Sequence, residues 1–414
     1  MLKFQPGANF SRELDIDDKL NNLSKHFCLP SENIYLCGHS LGLQPKKSKK
    51  YINEVIEDWK NLGVEGHMHG KSPWFDYHKY LTNPMSHIVG AKDSEVVVMN
   101  SLTTNLHLLM ISFFNPSKEK YKIVIDTPSF PSDKYAVQSH LKLHNLDPKK
   151  DLIEINTFKN NKCLSNEEIL NEIEKNITDA CMILLSGVNY YTGQLYDIKS
   201  IAKLAKKHNC IIGLDLAHAA GNVKLKLNAW GVDFASWCGY KYLNGGPGAP
   251  SGVFINSKHH NKPLNRLEGW WGHNNNTRFE PPLNFDPLDG AEAWQLSNPP
   301  ILSMSALRCS LDLFDEIGID KLSVKSMMLT SYLEYLIKSL NHTDITIITP
   351  NKSKDRGAQL SLVINSTNKN IEQFFKSKNI ILDFRKPNVI RIAPNPFYNS
   401  FTDIYYFVNI LKSL

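Results

Sequence analysis

The sequence predicts an α/β protein built on a mainly parallel sheet. Three observations predict it. Short apolar runs, among them Val96–Met99, Lys122–Asp126, Cys181–Ser186 and Ile211–Asp215, read as strands buried on both faces. Helical patterns separate them, and this β-α-β-α alternation calls for right-handed crossovers. One of the runs ends on an acid, Asp215, where open α/β sheets bind ligands.

At 414 residues the chain is longer than one ordinary domain, so a large and a small domain are expected. A hydrophobic content of 42% against 21% charged residues describes a soluble globular protein with a real core. The charge excess is mild, 47 − 41 = +6 with histidine neutral. It helps collect anionic ligands without identifying them. The cluster Lys46-Lys47-Ser48-Lys49-Lys50 reads as the solvated face of a helix, and no nucleic-acid partner is expected. Seven cysteines, an odd number with no CxxC pair, suggest neither a disulfide framework nor a zinc site. A reducing cytoplasm is the expected location. The amino terminus has no apolar signal region, and no apolar run approaches the ~20 residues of a membrane span.

Taken in order, residues 1–34 read as a polar, helical arm. Tyr35–Pro45 is a Gly-punctuated loop before a helix over about Pro45–Trp59. Gly66–Trp74 holds two histidines, His67 and His69, without a carboxylate or cysteine at metal-ligand spacing, so no metal is expected. After Val96–Met99, Asn100–Asn105 opens a long helix. Small polar residues at such a turn offer N–H groups and hydroxyls to a phosphate, and they are equally ordinary N-cap chemistry. Lys122–Asp126 is followed by Thr127–Asp133, where Phe130 is either core or a ring to stack on a flat ligand. Cys181–Ser186 leads into a turn, and Asp197 caps a helix reaching His208. The aromatic loop Gly269–His273 is an interface plug or a ligand wall. Ile301 to about Leu340 reads as one long helix. The tail reads as strands at Ile345–Ile348, Gln359–Ile364, Ile380–Asp383 and Val389–Ile392, with helices at Ile371–Ser377 and Phe401–Leu411. That is a small α+β unit. In it Arg391 stands alone in an apolar strand. A buried guanidinium needs a partner, either an internal acid or a bidentate carboxylate ligand.

The stretch Ser236–Asn244 sets Lys241 between Tyr240 and Tyr242, ahead of the Gly/Pro-rich loop Gly245–Gly252. Paired with Asp215, this suits pyridoxal phosphate (PLP). A lysine can hold an aldehyde cofactor, and an aspartate can keep a pyridine nitrogen protonated. Each residue alone also reads blandly, as a solvated loop lysine and a strand cap.

The whole stretch resembles the lysine region of the fold-type-I PLP enzymes, and within them the kynureninase family. The residues that carry this are Asp215–Asn222, Trp230–Ala235 and Tyr240–Asn244, and the likeness recurs from about Tyr35 to Phe401. The resemblance implies a seven-stranded, mainly parallel central sheet in a large domain (45–300), an amino-terminal arm (1–44), and a bridging helix with a small α+β domain (301–414). It implies PLP-dependent hydrolysis of L-kynurenine or 3-hydroxy-L-kynurenine to anthranilate or 3-hydroxyanthranilate plus L-alanine, a step of tryptophan catabolism and NAD supply. It places the cofactor against Leu102, Thr103, Phe130, Asp133, Ser186, Asp215, His218, Tyr240, Lys241, Trp270 and Asn298. Lys241, Tyr240 and Asp215 would carry the chemistry. The substrate would meet Ser40, His67, Ser297, Asn298 and the carboxylate clamp Arg391, with His67 and Asn298 favouring the 3-hydroxy ring. A homodimer with shared sites is expected. His39 stands where many relatives are expected to have Asn, and Pro247 and Pro250 stand where many have Gly or Ala. A cysteine desulfurase, selenocysteine lyase or aminotransferase on the same fold is the alternative. The only cysteine after Cys238 is Cys309, inside a predicted helix, which weighs against a desulfurase. A catalytically silent PLP-binding protein is a third reading, and turnover separates it from the others.

Overall fold

The computed structural model describes residues 3–30, 33–280, 284–365 and 370–414, so positions 1, 2, 31 and 32 of the expected arm lie outside the described residues. The central sheet has seven strands: β1 (Val96–Met99), β2 (Lys122–Thr127), β3 (Leu152–Asn156), β4 (Ala180–Ser186), β5 (Ile211–Asp215), β6 (Phe234–Trp237) and β7 (Ser251–Ile255). Their order is β1-β7-β6-β5-β4-β2-β3. All pairings are parallel except those of β7, which runs antiparallel to β1 and β6. The apolar runs are explained by burial on both faces. In β4, Met182 and Leu184 enter the core on one side, and Ile183 and Leu185 enter it on the other. The edge strand β3, Leu-Ile-Glu-Ile-Asn, was not read from the sequence, because only Ile155 in it is buried; β6 was not read as a strand either.

Helices cover both faces, and their starts follow local capping chemistry. Asp197 accepts from the Ser200 N–H at the start of Ile198–Lys207, and Ile198, Ile201, Ala202, Leu204 and Ala205 form its buried stripe. Ser165 and Glu168 form a capping box before Asn166–Asn176. The expected helix near residue 45 runs over Ser48–Leu62.

The second sheet is antiparallel: β8 (Ile345–Ile347), β9 (Leu360–Ile364), β10 (Asp383–Arg385) and β11 (Val389–Ile392), ordered β8-β9-β11-β10. Leu329 and Leu333, Leu360 and Ile390, and Phe407 share a core there with Leu14 of the amino-terminal helix Ala8–Asp17. Ile34–Tyr35 pairs in parallel with Ile380–Ile381, and this stitches the arm to the carboxy-terminal part.

Two expectations change. The long helix is two, Ile301–Ile317 and Ile319–Ser339, divided at Gly318, whose φ of 86° suits glycine. The run Ile380–Asp383 is not one strand. Its first two residues pair with the arm, and Asp383 begins β10, because the chain passes from one sheet to the other at Leu382.

Candidate active site

The strand ends explain why the site lies where it does. Ser186, Asp215 and Ser236 are in register across β4, β5 and β6, so three polar side chains line up where the apolar runs stop. A cavity opens at this carboxyl edge, the usual ligand position in open α/β sheets. Lys241 projects into it from the loop after β6 and is only 9% exposed. Its Nζ lies 5.7 Å from the Phe130 ring centre and 5.9 Å from that of Tyr240. Behind the lysine, the Gly42 N–H donates to the Tyr240 carbonyl (2.8 Å), and a Cβ on Gly42 would strike the Lys241 carbonyl and Asn244. Only glycine lets the amino-terminal loop lie this close.

The floor holds two acids. Asp215 Oδ1 accepts from the Ala217 N–H at 2.6 Å. Asp133 is buried, and its Oδ1 has no hydrogen-bond partner among the described residues. Burial, and then the facing charge of Asp215, push the Asp133 carboxyl well above its ordinary value. A protonated ring nitrogen or other N–H donor placed here would relieve both effects. The residues therefore fit a cationic pyridine group.

One wall is the start of the helix Leu102–Phe113. Its N-cap Ser101 makes no capping bond and pairs instead with Thr104 Oγ1 (3.0 Å), so first-turn N–H groups are left for an anion. Leu102 and Thr103 line the cavity there, and Thr103 Oγ1 shares a 2.7 Å hydrogen bond with Ser132. On the opposite side Ser186 Oγ donates to Asp126 (2.6 Å). Asp126 also accepts from Asn189 and Tyr196, each at 3.0 Å. This knot ties the turn after β4 to β2, and the sequence did not single it out. The available signal was a second strand, Lys122–Asp126, ending on an acid.

His218 and Tyr240 complete the walls. Burial, then the charges of Lys241 and Arg391, hold His218 well below the ordinary histidine value, so it is neutral. Burial, then Cys238, raises the Tyr240 phenol, which keeps its proton at neutral pH. Cys238, also on the wall, is pushed up to about 11, chiefly by burial. It stays a thiol. Cys309 is buried in the helix Ile301–Ile317.

Arg391 lies outside the lining of this cavity, joined to it through Tyr190. Its Nη1 donates to the Tyr190 carbonyl at 2.7 Å, while the Tyr190 ring meets Phe130 edge-on at 5.5 Å. Its Nε donates to Asp383 at 2.8 Å, so the internal acid left open by the sequence is present. Burial would raise the Asp383 carboxyl, but Arg391, with Arg385 nearby, brings it down to about 2. Ser40 Oγ donates to the same carboxylate at 3.1 Å.

The remaining predicted residues stand apart from the Lys241 cavity. His67 is half-buried against Trp74, with Nδ1 on the Val64 carbonyl at 3.0 Å. Trp270 donates to the Arg278 carbonyl and is 46% exposed, beside the exposed Phe279. Ser297 and Asn298 are exposed.

The sequence comparisons bear on this geometry. A family profile described as "Kynureninase C-terminal domain" matches residues 322–411, and "Aminotransferase class I and II" matches residues 31–239. A kynureninase of Myxococcus xanthus is 47% identical over 99% of this chain and 97% of its own. The chain belongs to the kynureninase family. The likeness extends across kingdoms: a kynureninase of the sea anemone Nematostella vectensis is 43% identical over 92% of this chain and 85% of its own. Solved structures share the fold. A cysteine desulfurase from Thermococcus onnurineus superposes with a TM-score of 0.75 at 17% identity, covering 100% of this chain and 99% of that one. The lyase C-DES, with glycine linked to its PLP cofactor, gives 0.77 at 14% identity, covering 93% and 97%. At such identities these two show the fold alone. The desulfurase alternative therefore has structural likeness without sequence likeness, whereas the kynureninase family has full-length sequence likeness.

Proposed function

We propose that this chain is a PLP-dependent kynureninase. It hydrolyses the Cβ–Cγ bond of L-kynurenine or 3-hydroxy-L-kynurenine and releases anthranilate or 3-hydroxyanthranilate with L-alanine. The observation that carries the reading is Lys241 buried above the facing Asp215 and Asp133, in a chain of full-length kynureninase likeness. When bound, the cofactor supplies an electron sink for charge that develops at the substrate's Cα and Cβ.

The chain's own residues do the rest. Asp215 and Asp133 would hold a proton at the ring nitrogen. Leu102, Thr103 and the helix start would receive the phosphate, with Trp270 and Asn298 of a second copy completing the pocket. Phe130, Ser186 and His218 would line the ring's place. Lys241 would hold the cofactor's aldehyde, and its amine, when free, would take the substrate's Cα proton, a role suited to a nearly enclosed lysine. Tyr240, kept protonated, supplies a proton to the departing fragment. Arg391 and Ser40 bind the substrate carboxylate. His67, Ser297 and Asn298 meet the substrate, and His67 and Asn298 favour the 3-hydroxy form of its ring.

Two features support a homodimer with shared sites. Trp270 and Phe279 are exposed aromatics, and His67 and Asn298 lie away from their own chain's cavity. A division into an arm (1–44), a large domain (45–300) and a small domain (301–414), and a cytoplasmic location, belong to the same reading. No helix among the described residues is long and apolar enough to cross a membrane.

The test is turnover. Purified protein with PLP is mixed with 3-hydroxy-L-kynurenine, and the products are identified. Hydroxyanthranilate and alanine in equal amounts are expected. A visible cofactor band without cleavage of either kynurenine would overturn the substrate assignment, and sulfur release from cysteine would then be assayed.

A further inference from the structure

His39 has no role in the scheme above, yet it sits beside the proposed carboxylate clamp. It is fully buried, and neither ring nitrogen has a hydrogen-bond partner among the described residues. Its ring centre is 6.1 Å from that of His218, on the cavity wall. Burial, then the Arg391 charge, with Lys241 and Arg385 adding to it, outweighs the pull of Asp383 and holds His39 well below the ordinary histidine value. The ring is therefore neutral, with one N–H donor and one acceptor. Leaving both unpaired in the interior is costly, so such a group calls for a reason.

One His39 nitrogen, Cys37 Sγ and an Asp383 oxygen lie within 4.8 Å of one another. Those three ligand types could hold a metal ion. The surrounding charge argues otherwise. Asp383 already accepts from Arg391, Arg385 and Ser40, and the two guanidinium groups repel a cation. The same charges suit an anion.

On the reading proposed above, that anion is the substrate carboxylate. Arg391 commits Nε to Asp383 and Nη1 to the Tyr190 carbonyl, and its other N–H groups can take a carboxylate. Its arrival sets a second negative charge on a guanidinium that Asp383 already shares. The two carboxylates compete for the same donors, Ser40 included. We propose that His39 is a positioning residue for this step: its neutral N–H turns to Asp383 and replaces the donors that Asp383 yields to the substrate. His39 thus lowers the cost of clamping a carboxylate through Arg391. It acts on affinity and leaves the reacting carbons untouched.

The experiment compares His39→Leu and His39→Asn holoenzymes with the parent. It reads KM and kcat for L-kynurenine, and the inhibition constant of kynurenamine, the same amine without its carboxylate. His39→Leu should raise KM roughly tenfold, the worth of one hydrogen bond to a charged group. In that variant kcat should stay within about twofold, and the kynurenamine constant should not move. His39→Asn keeps an N–H donor and should recover most of the affinity. Thermal unfolding of both variants checks that they fold. The proposal is overturned if Leu leaves KM unchanged, weakens both ligands alike, or matches Asn. A parent enzyme that cleaves no kynurenine would instead overturn the activity. Calorimetric binding of the two ligands to the same three proteins would then still decide the role of His39.

Discussion

Asp133 is buried and Asp383 half-buried, each beside a basic residue, yet their protons are held in opposite ways. Asp133 faces Asp215, and burial with that second charge pushes its carboxyl well up. Asp383 meets Arg391 and Arg385, which bring it down to about 2 despite its burial. In the first region two acids face one another, and Asp133 Oδ1 has no hydrogen-bond partner among the described residues. In the second, two guanidinium groups share one carboxylate, which leaves an excess of positive charge. Facing acids suit a cationic group, and guanidinium groups in excess suit an anion.

The largest effect that would sharpen this contrast comes at the cavity's cation. Lys241→Ala should lower turnover about 10³-fold or more and remove the visible cofactor absorption. A retained band would mean that another amine holds the cofactor. At the Asp383 end, Arg391→Lys should raise KM for kynurenine by about tenfold or more, because a point charge does not replace a planar fork. A loss confined to kcat would remove Arg391 from the clamp.

The two aspartates themselves should move stability in opposite directions. A depressed carboxyl stabilises the fold above its unfolded value, near 3.9, and that contribution is lost as pH falls through about 2. Asp383→Asn should therefore cost about 2 kcal/mol at neutral pH and flatten the acid limb of the stability profile between about pH 4 and pH 2. A raised carboxyl does the reverse: it destabilises the fold progressively as pH rises above the unfolded value. Asp133→Asn should raise the melting temperature of the cofactor-free protein at neutral pH, by about 2 °C or more. Shifts of the same sign in both variants would break the comparison. The smallest effect is expected at Cys309, which is buried and does not line the cavity. Cys309→Ala should leave turnover within about twofold. A large loss would reopen a cysteine-based chemistry.

Much of this was legible before the fold was known. Lys241, Asp215, Phe130, Asp133, Ser186, Thr103, Leu102, His218 and Tyr240 were named from the sequence, and the structure gathers all of them around one cavity. Lys241 and Asp215 were readable from their own chemistry at the end of apolar runs, and Phe130 as one of two options; Leu102, Thr103, Asp133, Ser186, His218 and Tyr240 came from the resemblance to the kynureninase family. Trp270, His67, Ser297 and Asn298 were named only by resemblance, and a single chain leaves them elsewhere. Asp126, Asn189 and Tyr196 escaped notice because their hydrogen-bond knot joins two segments some sixty residues apart, and the one local signal was the acid that ends Lys122–Asp126.

The sequence by itself determined the apolar runs of the central strands, the capped starts of helices such as Ile198–Lys207, and the Lys241 loop. These depend on side-chain period and local hydrogen bonds, which act over a few residues. Tertiary structure alone decided that Gly318 divides a helix, that Asp383 closes on Arg391, and that Asp133 meets Asp215. It also decided that His39 is neutral and without a hydrogen-bond partner among the described residues. Those outcomes depend on burial and on charges brought together from distant parts of the chain, and no local pattern encodes either.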